Sequence, residues 1–290
     1  MPIVFPSLIT LAPSASALVA GGTGIVGSGI VRSMLKQGAK VIVATRSEGS
    51  YEQLRKTIPE NLQDNLGCVV GDVSTEEGAR DVFEKAVKKC RGIQHVVASI
   101  KGDNSWFKQG RLIDQPLAQF YEITKYDVTG HFLLMKNFLP YLENNMGSTY
   151  TVLTGFPGSG NTAPGTSSSL RSLAAGSLHG LVDAARDEYQ QSNVAISEFH
   201  IKCHVYSKDD LDICARGAQH LGNDLIGTAV TAVVATGARE KIEIAERDDV
   251  RKWVRTKTHG VLSTDISASA AMPQLPEELI FPHVPQYPYL

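Results

Sequence analysis

What the chain lacks narrows it first. No lysine or arginine occurs before Arg32, so the apolar start, Ile3-Val4-Phe5 and Leu8-Ile9-Thr10-Leu11-Ala12, has no basic n-region in front of it. A secretory leader wants one, and cleavage behind Ser14-Ala15-Ser16-Ala17 would cut into the first strand. Residues 1–15 are therefore expected to be an arm packed on the domain. No apolar run is long enough to span a bilayer. Cysteine is scarce: Cys68, Cys90, Cys203 and Cys214 are far apart and form no C-x-x-C pair. They read as reduced thiols of a cytoplasmic protein and exclude a disulfide frame or a cysteine zinc site. Charge of one sign is missing too. The net charge is −2 with no long basic run, which argues against nucleic acid and anionic membranes as partners.

What is present is an alternation of strand and helix patterns in 290 residues of ordinary globular composition, 42% apolar and 20% charged. Ser16 to Ala20 reads as a buried strand. Gly21-Gly22-Thr23-Gly24-Ile25-Val26-Gly27 is a glycine-rich turn with G-x-x-G-x-x-G spacing, and a helix follows from it. Such a turn leaves backbone N–H groups at a helix N-terminus, where they hold a phosphate. Gly21 permits the tight turn, Gly24 lets the backbone approach a pyrophosphate, and Gly27 lets helix and sheet close up.

Lys40 to Thr45 and Cys68 to Val70 read as further strands, ending in Arg46-Ser47 and Gly71-Asp72-Val73. Ser74-Thr75-Glu76-Glu77 reads as a capping box for a helix to about Cys90. Ile93 to Ser99 is a fourth strand, Leu117 to Leu142 a long helix, Thr149 to Thr154 a fifth strand and Leu170 to Gln190 a helix. Val194 to Val205 is a sixth strand, Leu225 to Ala238 a helix and Lys241 to Ile244 the last strand. Strand alternating with helix implies parallel strands and right-handed crossovers. The expectation is one Rossmann-type α/β domain, a doubly wound parallel sheet in three α/β/α layers over residues 16–247. A proline-rich extension, 248–290, follows it.

From Gly21 to Gly27, through Asp72 and the two long helices, the chain resembles the short-chain dehydrogenase/reductase superfamily. Trp106 to Asp114 and Thr129-Gly130-His131-Phe132 are similar to family segments as well. The resemblance implies a dinucleotide site of Gly21, Thr23, Gly24, Ile25, Val26, Gly27, Thr45, Arg46, Ser47, Asp72, Val73, Ala98, Ser99 and Ile100, with Asp72 at the adenine. It also implies a small-molecule substrate and a homodimer or homotetramer. Charge indicates which cofactor. An NAD site wants a carboxylate at the end of the second strand, whereas Thr45-Arg46-Ser47 carries none. Arg46 suits a 2′-phosphate, so NADP(H) is expected.

The catalytic half departs from the family. Its members pair Tyr and Lys as Y-x-x-x-K on one helix face, the Lys lowering the Tyr pKa so that the phenol can protonate a carbonyl. Here Arg171 and Ala175 occupy those positions, Thr154 or Gly155 the serine position and Asp127 the asparagine position. Guanidinium gives up no proton near neutrality. Arg171, Thr154 and Asp127 are the candidate catalytic residues, in an NADP(H)-dependent oxidoreductase with a nonstandard set. The alternatives are a non-redox isomerase or cyclase that keeps NADP structurally, and a non-catalytic NADP(H) sensor. No metal is expected: His95, His131, His179, His200 and His204 show no ligand spacing in the sequence. His131 and His179 read as packed helix residues, and Tyr121, Lys125 and Tyr126 as solvent-facing or packing positions.

Overall fold

The computed structural model describes residues 10–12, 14–102, 111–155, 169–207 and 220–253. The Trp106 loop and the proline-rich tail beyond Trp253 lie outside them. Seven parallel strands form the sheet: β1 (Ser16–Ala20), β2 (Lys40–Thr45), β3 (Leu66–Val70), β4 (His95–Ala98), β5 (Thr149–Gly155), β6 (Ala195–Ile201) and, at the edge, β9 (Lys241–Ile244). Their spatial order is β3-β2-β1-β4-β5-β6-β9. Chain direction across the sheet reverses between β1 and β4, and a crevice opens there beyond the strand C-termini.

Helices cover both faces, which is why the strands read as unbroken apolar runs. On one face α1 (Ile25–Lys36) and α8 (Asn223–Thr236) pack on Val19, Val43 and Phe199. On the other, α4 (Glu76–Cys90), α6 (Gly130–Leu142) and α7 (Ser169–Glu188) pack on Leu18, Ile42 and Val96. The short α2 (Glu48–Lys56) and α3 (Glu60–Gln63) link β2 to β3. Leu11 and Ala15 of the arm join the first core, as does Val250, so the described start of the C-terminal extension packs on the domain.

The turn chemistry follows the sequence closely. Gly38 takes a left-handed φ of +83° just after α1. The Thr75 hydroxyl caps α4 by accepting from the Gly78 N–H. Helices α1 and α8 meet almost backbone to backbone. A Cβ on Gly227 would stand 2.2 Å from the Gly29 carbonyl oxygen, and one on Gly29 would stand 2.1 Å from that of Asn223. The Gly227→Ala variant is therefore expected to lose about 3 kcal/mol of stability in urea unfolding despite alanine's better helix propensity. An unchanged midpoint would contradict this close packing.

Two expected elements are interrupted. The single helix over 117–142 divides into α5 (Leu117–Thr124), a π-helical turn over Lys125–Thr129, and α6. The expected sixth strand ends at Ile201. After Lys202 and Cys203 the chain leaves the sheet, and β7 (His204–Tyr206) pairs in parallel with β8 (His220–Gly222) as a separate ribbon. Apolar patterning cannot register either break, because a π turn and a strand kink are backbone events that leave residue types unchanged.

Candidate functional site

A cleft of about 560 Å³ opens at the switch point. Its floor is the glycine turn. Gly21 has φ +75°, and a Cβ there would meet the Ser99 carbonyl oxygen at 2.2 Å. A Cβ on Gly27 would meet the Gly21 carbonyl oxygen at the same distance. No side chain but hydrogen fits at either position. Gly24 caps α1 without any side-chain hydrogen bond, and Ile25 and Val26 of its first turn line the cleft. A helix start without a side-chain cap leaves backbone N–H groups able to meet an anion.

One end of the cleft is charged. Arg46 projects from the end of β2 with its guanidinium carbon 4.8 Å from the centre of the Tyr126 ring. Asp72, past the end of β3, accepts from the Ser74 N–H at 3.1 Å and from its hydroxyl at 2.6 Å. Lys125 lies 3.8 Å from the same carboxylate. Burial works against the Asp72 charge. The Ser74 hydrogen bonds, with Lys125 and Arg46 nearby, prevail and hold its pKa below the ordinary carboxylate value.

The other end is less polar. Its wall is Leu153, Thr154, Gly155, Ala174, Ala175 and Leu178. Thr154 lines the cleft, but its hydroxyl donates to the buried Glu198 at 2.7 Å. The Asp127 carboxylate accepts from the Gly102 N–H at 2.9 Å. Arg171 is in the first turn of α7, and its side chain lies outside the described residues. So Asp127, Thr154 and Ala175 line one cleft.

Most of the expected dinucleotide residues line this cleft: Gly21, Thr23, Gly24, Ile25, Val26, Gly27, Thr45, Arg46, Asp72, Val73, Ser99 and Ile100. Two have other positions. Ala98 is fully buried in the core, because strand alternation turns its side chain towards α6. The Ser47 hydroxyl caps α2 by accepting from the Ser50 N–H at 3.3 Å. The structure adds Lys101, Gly102, Tyr126, Lys202, Cys203 and His204 to the lining. Tyr126 beside Asp127 is the instructive case. A π turn advances less per residue around the axis than an α-helix, so neighbours that helical periodicity separates share one side. Burial, with Asp249 nearby, pushes the Cys203 thiol up to about 11, which removes it as a nucleophile.

Two histidines are buried structural groups. His131 is wholly buried in α6, and its Nε2 lies 3.3 Å from the Ile100 carbonyl oxygen. A carbonyl only accepts, so Nε2 carries the proton. Burial pulls its pKa down to about 4. His95, on β4, is held by a 3.0 Å contact with the Thr149 hydroxyl, and burial lowers it likewise to about 4.

The histidines show no ligand spacing in the sequence, but the fold brings two of them to one carboxylate. His179 of α7 and Glu198 and His200 of β6 come together, with one candidate ligand atom from each within 4.8 Å of the others. Residues two apart on a strand share a face. The helix above supplies the third residue, and no spacing in the sequence encodes that meeting. Burial first, then the neighbouring His179 and Lys241, lowers the His200 pKa against the pull of Glu198 and Glu243.

Fold and cleft define a doubly wound Rossmann-type protein with a glycine-floored cleft at its switch point. A family model described as enoyl-(acyl carrier protein) reductase matches residues 19–196, more than half of the chain. The chain belongs to the short-chain dehydrogenase/reductase superfamily. It is 27% identical over 137 residues to the human mitochondrial dehydrogenase/reductase SDR family member 2, covering 47% of each chain. It is 30% identical over 151 residues to cis-1,2-dihydrobenzene-1,2-diol dehydrogenase of Pseudomonas putida, covering 50% of this chain and 52% of that one. The chain thus spans about half the length of these curated relatives. Among solved structures, the 3-ketoacyl-(acyl-carrier-protein) reductase of Brucella melitensis, complexed with NADH, superposes with a TM-score of 0.65 at 16% identity. That match covers 80% of this chain and 97% of the other. A short-chain dehydrogenase/reductase from Serratia marcescens gives 0.66 at 13% identity, covering 80% and 96%. No described helix is long and apolar enough to cross a membrane.

Proposed function

We propose that this chain is an NADP(H)-dependent oxidoreductase acting on a small carbonyl compound or its alcohol without a phenolic proton donor. One observation carries the cofactor choice. Arg46 projects at the end of β2 over Tyr126, where an NAD site would hold a carboxylate. The glycine cradle suits the pyrophosphate, Arg46 the 2′-phosphate and Asp72 the adenosine end. Bound NADPH would supply a hydride to the substrate carbon. The chain's own residues bind and orient. The Thr154 hydroxyl donates its hydrogen bond to Glu198, so its oxygen lone pairs are left to accept from a substrate hydroxyl. Asp127, fixed by the Gly102 N–H, orients water at the cleft. Ala174, Ala175 and Leu178 offer only an apolar surface. In this reading water, rather than a side chain of that wall, protonates the substrate oxygen, with hydroxide released to solvent.

The same apolar wall favours a second reading, in which NADP(H) is bound but not turned over. The protein would then be a sensor, or would perform isomerisation or cyclisation. Fluorescence titration with NADPH and NADH, followed by NADPH consumption over a panel of carbonyls, imines and enones, separates the two. The expected result is tighter NADPH than NADH binding, with slow consumption on at least one carbonyl. Tight binding with no consumption anywhere would replace the first reading by the second. Absence of binding would overturn both.

A further inference from the structure

The cluster under α7 touches the proposed function only through the Thr154–Glu198 hydrogen bond, and it is chemically incomplete as an ion pair. Strand β6 turns Phe199 and Ile201 to one core and Glu198 and His200 to the opposite face. Glu198 is 0% exposed and His200 5%. An ionisable pair this deep is costly unless its polar atoms are met. Only part of it is met. Glu198 Oε1 takes the His179 Nδ1 at 2.5 Å and the Thr154 hydroxyl at 2.7 Å. Glu198 Oε2 and both ring nitrogens of His200 are buried with no hydrogen-bond partner. The Glu243 carboxylate lies 3.5 Å from His200 Nδ1, a contact longer than an ordinary hydrogen bond. Buried polar groups without partners require a physical explanation, and ligation of an ion is one.

The donor set identifies that occupant's chemistry. Two imidazoles and one carboxylate suit a borderline first-row dication and leave a coordination position open, as in many two-histidine, one-carboxylate sites. The surroundings have the form of an outer shell: the Thr154 hydroxyl on the ligating carboxylate, and the Glu243 carboxylate beside His200. One feature opposes a cation. Lys241 Nζ lies 3.9 Å from Glu198 Oε1. It is 36% exposed and 3.7 Å from Glu243, so it has another partner when displaced. We propose that His179, Glu198 and His200 form a binding site for a first-row transition-metal dication, Zn²⁺ being the reference ion, which clips α7 to β6 behind Thr154. This site is independent of the cofactor reading.

The test uses the full chain, stripped with EDTA, dialysed against Zn²⁺ or Co²⁺ and gel-filtered. The wild type is expected to retain one metal equivalent, to melt at higher temperature with Zn²⁺ than without, and to give a Co²⁺ spectrum without thiolate charge transfer. Glu198→Gln and His200→Gln, checked for folding by circular dichroism, are expected to weaken binding by at least ~100-fold, beyond the usual effect of losing an outer-shell partner. Lys241→Gln removes the competing cation and is expected to tighten binding ~5-fold, the effect of one unit charge at about 4 Å in water. No retained metal, undiminished binding in folded Glu198→Gln or His200→Gln, or a thiolate band placing the ion on a cysteine would each overturn the proposal. Should both ligand variants fail to fold, Lys241→Gln decides it, and unchanged or weaker affinity overturns the site.

Discussion

Replacing Arg46 by glutamate is expected to weaken NADPH binding by ~10²- to 10³-fold and to leave NADH binding equal or improved. The loss combines two effects. Charge-assisted hydrogen bonds to a phosphate contribute about 1.5–3 kcal/mol, and a carboxylate beside that phosphate adds like-charge repulsion. NADH has no 2′-phosphate. Its ribose 2′-hydroxyl would meet the acceptor that NAD sites place at the end of the second strand. The local cost to the fold is small, because Arg46 is exposed and its packing partner is the face of Tyr126, a contact of about 0.5–1 kcal/mol. Paired titrations with the two cofactors read the result. A variant that keeps the wild-type preference would remove Arg46 from the site and with it the argument for NADP(H).

Acid is expected to destabilise the protein steeply between pH 6.5 and about 4. His95 and His131 are buried as neutral rings, with pKa values of about 4 against 6.5 in the unfolded chain. Below pH 6.5 the unfolded chain binds protons that the folded chain refuses. The stability from keeping these rings neutral is thus fully present above pH 6.5 and is lost as the pH falls towards 4. Each histidine accounts for roughly 3 kcal/mol, so the pair removes ~6 kcal/mol, comparable with the whole stability of many domains. The consequence reaches the cleft, because His131 is bonded to the carbonyl of Ile100, a lining residue. Urea unfolding at a series of pH values measures the slope. His95→Gln is expected to reduce it by about one proton whatever its offset in stability. A stability independent of pH over this range would refute the neutral burial of these two rings.

How much was legible in advance differs by level. The glycine turn, Arg46 and Asp72 are local in their meaning. A short strand, a turn that admits only hydrogen side chains and a helix start are all contiguous, so their geometry is written in consecutive residues. The parallel sheet is nearly as direct, since apolar runs alternating with amphipathic helices leave few topologies. No Tyr-x-x-x-Lys pair lies within α7 in the sequence, and Ala174, Ala175 and Leu178 of that helix line the cleft.

The sequence by itself therefore determined the fold class, the glycine turn between β1 and α1 and the cation at the end of the second strand. The tertiary structure decided the rest. It put Tyr126 beside Asp127 through a π turn, which no pattern of residue types announces. It ended β6 at Ile201 and sent the chain off as a ribbon past the cleft. It directed the Thr154 hydroxyl to Glu198, and it closed His179 over Glu198 and His200. The first two are backbone events that residue types do not encode. In the last two, the docking of a helix and of a neighbouring strand brings together residues 19 or 44 positions apart, and only packing fixes which pairs meet.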